Sequence, residues 1–228
     1  MDKLSTLRNL LDTALGLILD FDGLLADSER FHFAAYNEVF RQYGHTLDEK
    51  EYYKYWTSLG HGAQGEIERH GLDLDAVEIR REKMPIFSRY CEVGTIRLFE
   101  DAKTMIDLLA RTGKRMAIAS GTPAGDVRAV LKNAGVDGVF EVVLGSDTVK
   151  RIKPAPDVFL KALDALGLRA GECLVFEDAE KGMFAAVDAG IPVVIVRTPQ
   201  TQGFDFGSAD ITFDSHAELV RLLKKLDR

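Results

Sequence analysis

The chain has 228 residues, enough to bury a core without disulfides or structural metals, and its 46% apolar and 29% charged content excludes disordered, collagen-like and coiled-coil classes. Lysine and arginine number 29 against 36 acidic residues, a formal charge of −7. A surface of that sign repels nucleic-acid backbones but does not forbid a phosphate held in a local pocket. The two cysteines, Cys91 and Cys173, lie far apart and form no metal-type pair, a usage that suits a reducing cytoplasm.

In chain order, Leu4, Leu7, Leu10 and Leu11 give the periodicity of a short amphipathic helix. It leads into a first apolar run, Leu15–Leu19, too short for a membrane span. Comparable runs recur at Met116–Ala119, Val142–Leu144, Leu174–Phe176 and Val193–Val196. Short, nearly continuous runs suit strands buried on both faces, hence a parallel sheet. Helical stretches at Pro123–Ala134, Pro156–Leu166 and Ala179–Ala189 separate the last four, each ending at a glycine. Alternating strands and helices predict a Rossmann-like three-layer α/β core.

The first gap breaks that rhythm. Between Leu19 and Met116 the chain reads as helices over Ser28–Tyr43, Glu49–Ser58, Ala63–His70, Asp75–Cys91 and Asp101–Arg111. Ser28 stands as a plausible N-cap, with Phe31, Ala35, Val39, Phe40 and Tyr43 at helical spacing. One crossover needs one helix, so the surplus predicts an inserted α-helical cap over 27–98, with the core formed by 1–26 and 99–228.

Polar residues close the predicted strands: Asp20-Phe21-Asp22-Gly23, Ser120-Gly121-Thr122, Lys153-Pro154-Ala155-Pro156-Asp157 and Glu177-Asp178. Ligands of open parallel sheets bind outside the strands' carboxyl ends, so these groups are expected to converge. Each has a plainer reading: a turn, a helix cap, a loop entering a helix. Together they form a coherent set. Clustered carboxylates without His or Cys call for a hard cation such as Mg²⁺. Lysine, hydroxyl and backbone N–H groups suit phosphate oxygens. One carboxylate can act as nucleophile, and another two residues on can protonate the leaving oxygen.

DFDGLLADSE, AIASGT, KRIKPAPDVF and LVFEDAEKGMFAAVDAGIPVV resemble the four motifs of the haloacid dehalogenase superfamily, in its helical-cap phosphatase and β-phosphoglucomutase-like branch. The resemblance runs from about residue 15 through nearly the whole chain. It implies Asp20 as a nucleophile that becomes phosphoaspartate and binds Mg²⁺. It implies Asp22 as general acid/base, with its carbonyl on the metal. Ser120 and the N–H of Gly121 would grip phosphate, and Lys153 would neutralise the same oxygens and Asp20. Asp178 would ligate Mg²⁺, with Glu177 acting through a bound water. Aspartate at position 22 resembles the phosphatases and mutases rather than the dehalogenases. The family pattern departs at Ile152, at Ala179 and at Leu98-Phe99-Glu100-Asp101, none of which removes a catalytic group.

Specificity is expected from the cap. His61, in Leu59–Gly65, either touches substrate or is an exposed loop histidine. His32 either faces the crevice or packs among Phe31, Phe33 and Tyr36. Lys83 either meets substrate or lies on a solvated helix face, the reading favoured by Arg80-Arg81-Glu82-Lys83. Trp56, Tyr52, Tyr53 and Tyr55 read as cap packing. Mutase relatives carry an arginine for a distal phosphate in the loop where Ala63 stands here. The leading expectation is a cytoplasmic Mg²⁺-dependent phosphatase, monomer or homodimer, acting on a small phosphorylated metabolite of sugar or polyol type, with no nucleic-acid or membrane partner. The alternative is a β-phosphoglucomutase-like phosphomutase. A phosphoacceptor signalling domain is disfavoured, because the Asp-x-Asp follows the first strand and a cap insertion is present.

Overall fold

The computed structural model describes residues 2–227, with Ser58 described by its backbone alone. Six parallel strands form one sheet: β1 (Gly16–Leu19), β2 (Arg115–Ala119), β3 (Val142–Leu144), β4 (Cys173–Glu177), β5 (Val193–Val196) and β6 (Ile211–Phe213). Their order is β3-β2-β1-β4-β5-β6. β1 is central and pairs with both β2 and β4, setting Leu19 between Ile118 and Phe176. Alternate residues serve opposite faces. Leu17, Leu19, Met116, Ile118, Leu174 and Phe176 enter one apolar cluster, while Ile18, Ala117, Ala119 and Val175 enter the other. Burial on both faces is why these strands read as unbroken apolar runs.

Helices α1 (Lys3–Thr13), α6 (Glu100–Ala110), α7 (Ala124–Asn133), α8 (Asp157–Leu166), α9 (Glu180–Asp188) and α10 (His216–Leu226) cover the sheet. α7 and α8 begin one residue after Pro123 and Pro156, which occupy the N-cap positions rather than the first turn. β6 and α10 extend the core beyond the five strands expected.

Between β1 and α6 stand α2 (Glu29–Gln42), α3 (Glu49–Glu51), a π-helical segment over Tyr52–Ser58, α4 (Gly62–His70) and α5 (Ala76–Glu92). They enclose a separate cluster of Val39, Phe40, Tyr52, Trp56, Ile67 and Ile79. Ala63 is buried in it. The lower half of α5 contributes Phe87 and Cys91 to the sheet's own cluster. Where this insertion leaves and rejoins, the two connectors lie side by side. Phe99 N–H donates to Leu25 O, and Asp27 N–H donates to Arg97 O, each at 3.0 Å. Ser28 precedes α2, but its hydroxyl does not cap the helix. It donates to Asp22 Oδ1 at 2.7 Å instead. Among the described residues no helix is long and apolar enough to cross a membrane.

Candidate active site

The chain moves from β1 toward β2 and β3, then returns to the other side of β1 with β4 and runs on to β5. The connections after β1 and β4 therefore diverge, opening a crevice at the strands' carboxyl ends. Asp20 is the first residue past β1, and its N–H continues the ladder to Phe176 O at 2.9 Å. Lys153 reaches in from the loop before α8. Its Nζ donates to Asp20 Oδ1 at 2.5 Å, to Glu177 Oε1 at 2.7 Å and to Ala119 O at 2.8 Å. All three side chains are almost wholly buried. Burial opposes the lysine's charge, but Asp20 and Glu177 overcome it and hold the ammonium protonated.

The other oxygen of Glu177 accepts the N–H groups of Asp178 and Ala179 at 2.8 and 3.0 Å. The capping reading of this pair does not hold: α9 begins at Glu180 with no side-chain cap, and the N–H groups Glu177 accepts precede the helix. Gly182 on α9 leaves the space Glu177 occupies, since a Cβ there would lie 1.7 Å from Oε1. Gly23 turns the chain at φ 81°, and a Cβ on it would lie 2.3 Å from Asp178 Oδ2. Asp20, Glu177 and Asp178 each offer an oxygen within 4.8 Å of the others. Burial, reinforced by Glu177, pushes the carboxyl groups of Asp20 and Asp178 well above the usual range. Three buried carboxylates around one lysine leave excess negative charge, and an all-oxygen donor set suits a hard divalent cation.

Asp22 is held by three donors. Ser28 Oγ reaches Oδ1 at 2.7 Å, Ser120 Oγ reaches Oδ2 at 2.8 Å, and His32 Nε2 lies 3.1 Å from Oδ1. Burial raises its pKa, but these contacts, His32 first, outweigh burial and keep it ionised far below the ordinary carboxylate range. Ser120 Oγ in turn accepts the N–H of Thr122 at 2.9 Å. Gly121 lines the crevice beside them.

The cap residues divide. His32 faces the crevice, with Nε2 also 3.0 Å from Thr122 Oγ1, and its ring stacks on Phe87 at 3.7 Å. Lys83 is 3% exposed, which overturns the solvated-face reading. Its Nζ donates to His32 Nδ1 at 2.7 Å, so the ring carries its proton on Nε2, toward Asp22. Burial lowers the Lys83 pKa to about 8, against the attraction of Asp22. His61 is exposed with its ring beside Tyr55, and it does not line the crevice. Tyr52 and Trp56 pack the cap core and also form crevice wall. The sequence reading missed Arg80, which lines the crevice from α5. Ile79, Lys83, Phe87 and Cys91 recur every fourth residue as the buried stripe of α5. That spacing is the signal that Lys83 points inward and brings Arg80 near the wall. The crevice lies between core and cap and opens to solvent at its mouth.

Residues 17–196 match the family model of the haloacid dehalogenase-like hydrolases. The chain belongs to this family, and its relatives place it among the family's phosphatases. It is 34% identical over 213 residues to Protein CbbY of Rhodobacter capsulatus, covering 85% of this chain and 90% of that one. It is also 34% identical over 187 residues to the fructose-1-phosphate phosphatase YqaB of Escherichia coli, covering 80% of this chain and 96% of that one. Among solved structures, a mutant CbbY of Rhodobacter sphaeroides in complex with xylulose-1,5-bisphosphate superimposes with a TM-score of 0.78 at 29% identity. That match covers 90% of this chain and 96% of the other.

Proposed function

We propose that the chain hydrolyses a phosphorylated sugar through a phosphoaspartate on Asp20, with Mg²⁺ held by Asp20, Asp178 and the carbonyl of Asp22. The observation that carries this is the buried Asp20–Lys153–Glu177 group, with Asp22 two residues on, beneath a cap lined by cations. Both oxygens of Glu177 already accept protein donors, which favours a role through water. When bound, Mg²⁺ screens the repulsion between carboxylate and phosphate and stabilises charge on the transferring group.

The chain's own groups perform the steps. Asp20 attacks phosphorus, forming an acyl phosphate as the ester P–O bond breaks, and Asp22 gives a proton to the leaving alkoxide. Water then attacks the acyl phosphate, Asp22 takes its proton, and inorganic phosphate leaves. In the arrangement described, Asp22 accepts the Ser120 hydroxyl proton. Substrate phosphate would take that proton instead, freeing Asp22 to bind one of its own. The paired connectors at Leu25–Phe99 and Asp27–Arg97 serve as the hinge of a cap spanning 27–98, whose closure excludes water. The setting is the cytoplasm.

Arg80 and Lys83 on α5 line the same crevice, and they favour a substrate with a second anionic group, such as a sugar bisphosphate. The same pair supports the alternative of phosphoryl transfer to a second sugar hydroxyl. Phosphate release from sugar mono- and bisphosphates, with Mg²⁺ and with EDTA, tests the reading. Release that requires Mg²⁺ and disappears in Asp20→Asn is expected. Undiminished release by Asp20→Asn overturns the phosphoaspartate.

A further inference from the structure

We infer that the helical insertion carries a metal site of its own, of zinc type, formed by His45, Glu66 and His70, with solvent in the fourth position. None of these residues lines the crevice. Glu66 and His70 lie one turn apart on the same face of α4. His45 comes from the loop after α2.

The geometry centres on one oxygen. Both histidines turn the same ring nitrogen toward Glu66 Oε1: His45 Nε2 lies 2.8 Å away and His70 Nε2 lies 3.4 Å away. His70 Nε2 is also 3.3 Å from Glu51 Oε2, an oxygen that pairs with Arg69 Nε at 3.4 Å and stands outside the three-residue cluster. Bonds of about 2.0–2.1 Å to a tetrahedral ion set its ligands about 3.3–3.4 Å apart. The His70–Glu66 separation already has that length, and the His45 hydrogen bond needs to open by about 0.5 Å.

The other oxygen of Glu66 is fixed from behind. The guanidinium of Arg69 pairs with Oε2, and Trp56 Nε1 donates to it at 3.3 Å. Such contacts orient a ligating carboxylate and leave its second oxygen for the ion. Glu66 itself is 2% exposed, whereas the side chains of His70 and Glu51 are about 40% exposed and open a path from solvent. Two imidazoles with a carboxylate select zinc over magnesium or calcium. Binding requires each Nε2 to give up its proton, the neutral ring keeping one on Nδ1. The bound ion would clamp the loop after α2 to α4. Through Trp56, which packs the cap core and walls the crevice, it would brace the face the cap presents to substrate.

Trp56 is the only tryptophan of the chain, so its fluorescence reports on Glu66. The test is a Zn²⁺ titration of the full, tag-free chain in excess Mg²⁺, followed by Trp56 fluorescence and by calorimetry. Saturation at one Zn²⁺ per chain with a change in Trp56 emission is expected, and Co²⁺ in its place should give the strong visible absorption of a tetrahedral site. His45→Gln and His70→Gln should each weaken Zn²⁺ by more than about 100-fold, the upper end of what loss of an outer partner does. Their unchanged circular dichroism would establish that they fold. No stoichiometric Zn²⁺ in the unaltered chain overturns the proposal, whether or not the variants fold. Equal affinity in the folded variants also overturns it, by placing the ion elsewhere.

Discussion

Lys83 donates to Nδ1 of His32 at 2.7 Å, and by doing so turns the protonated nitrogen of that ring toward Asp22, 3.1 Å away. A cap lysine is thereby linked through one imidazole to Asp22, the carboxylate proposed to move the proton. Burial holds Lys83 at about 8, so it loses its charge within an accessible pH range. kcat/KM for a phosphorylated sugar should fall as pH rises through about 8, since this ratio follows ionisation of the free enzyme. Lys83→Met should lack that limb and should raise KM. A pH profile from 6.5 to 9.5 on both proteins decides it; an unchanged limb in the variant assigns the ionisation elsewhere. Stability changes in the opposite sense. The unfolded chain has an ordinary lysine near about 10.4. Between pH 8 and that value it holds more protons than the fold, so the contribution of Lys83 to stability rises with pH.

The carboxylates at the strand ends predict a response to metal and acid. Asp20 and Asp178 have raised pKa values in the fold. Above about pH 4 the fold therefore binds more protons than the unfolded chain, and stability falls as pH rises. His32 and His216, whose pKa values burial lowers, work in the opposite sense between pH 5 and 7.5, so the carboxylates are read from the metal: the gain in melting temperature from EDTA to saturating Mg²⁺ should be larger at pH 7.5 than at pH 5. Asp178→Asn, which keeps the shape and deletes one charge, should stabilise the metal-free protein by about 1 kcal/mol while abolishing Mg²⁺-dependent phosphate release. A destabilised Asp178→Asn in EDTA would mean that repulsion is not the dominant effect there. Melts in EDTA and Mg²⁺ read both.

How far the site was legible follows from what each residue's neighbours are. Asp20, Asp22, Ser120, Glu177 and Asp178 stand at the ends of apolar runs buried on both faces, while Lys153 comes from the loop between β3 and α8. Chain order alone then brings them to one edge of the sheet. β6 is three residues with a half-buried Thr212 at its centre, too short to stand out from a loop. Ser28 has the composition of a helix cap, yet its hydroxyl goes to Asp22, a partner that only the tertiary turn after β1 supplies. Lys83 sits in a charged tetrad that reads as solvated. The packing of α2 against α5 buries it, and the stripe of Ile79, Phe87 and Cys91 around it is the only local sign. Ala63, which the resemblance set against the arginine of mutase relatives, lies buried in the cap core on α4, and the cap cations that line this crevice, Arg80 and Lys83, come from α5.

Gly182 offers a prediction in which two effects oppose each other. Replacing a helix-interior glycine by alanine ordinarily stabilises by about 1 kcal/mol. Here the new methyl carbon would fall 1.7 Å from Oε1 of Glu177. That carboxylate is 1% exposed and fixed by Lys153 and two backbone N–H groups, so it cannot yield cheaply. Overpacking of this kind costs about 1–3 kcal/mol and outweighs the propensity gain. Gly182→Ala should therefore lower the melting temperature and reduce kcat by at least about tenfold through displacement of Lys153 from Asp20. A stabilised, fully active variant would show that α9 can shift away from the site.

Arg80 separates the two kinds of substrate the crevice could favour. Its guanidinium suits a phosphate or carboxylate held in two-point contact, and with Lys83 it supplies the second charge of the cap wall. If the substrate bears a distal anion, Arg80→Ala should raise KM for a sugar bisphosphate by about 10–100-fold, the scale of losing a charge-assisted hydrogen-bonded contact of about 1.5–3 kcal/mol. KM for a sugar monophosphate should change less than about threefold, because no second anion is there to be lost. With the proposed phosphoryl transfer on Asp20, kcat should hold for both. Steady-state kinetics on one matched pair, the same sugar with one and with two phosphates, makes the comparison. Equal losses on both substrates would mean that Arg80 holds the transferring phosphate or the cap itself. A selective loss on the bisphosphate would place the distal anion on α5.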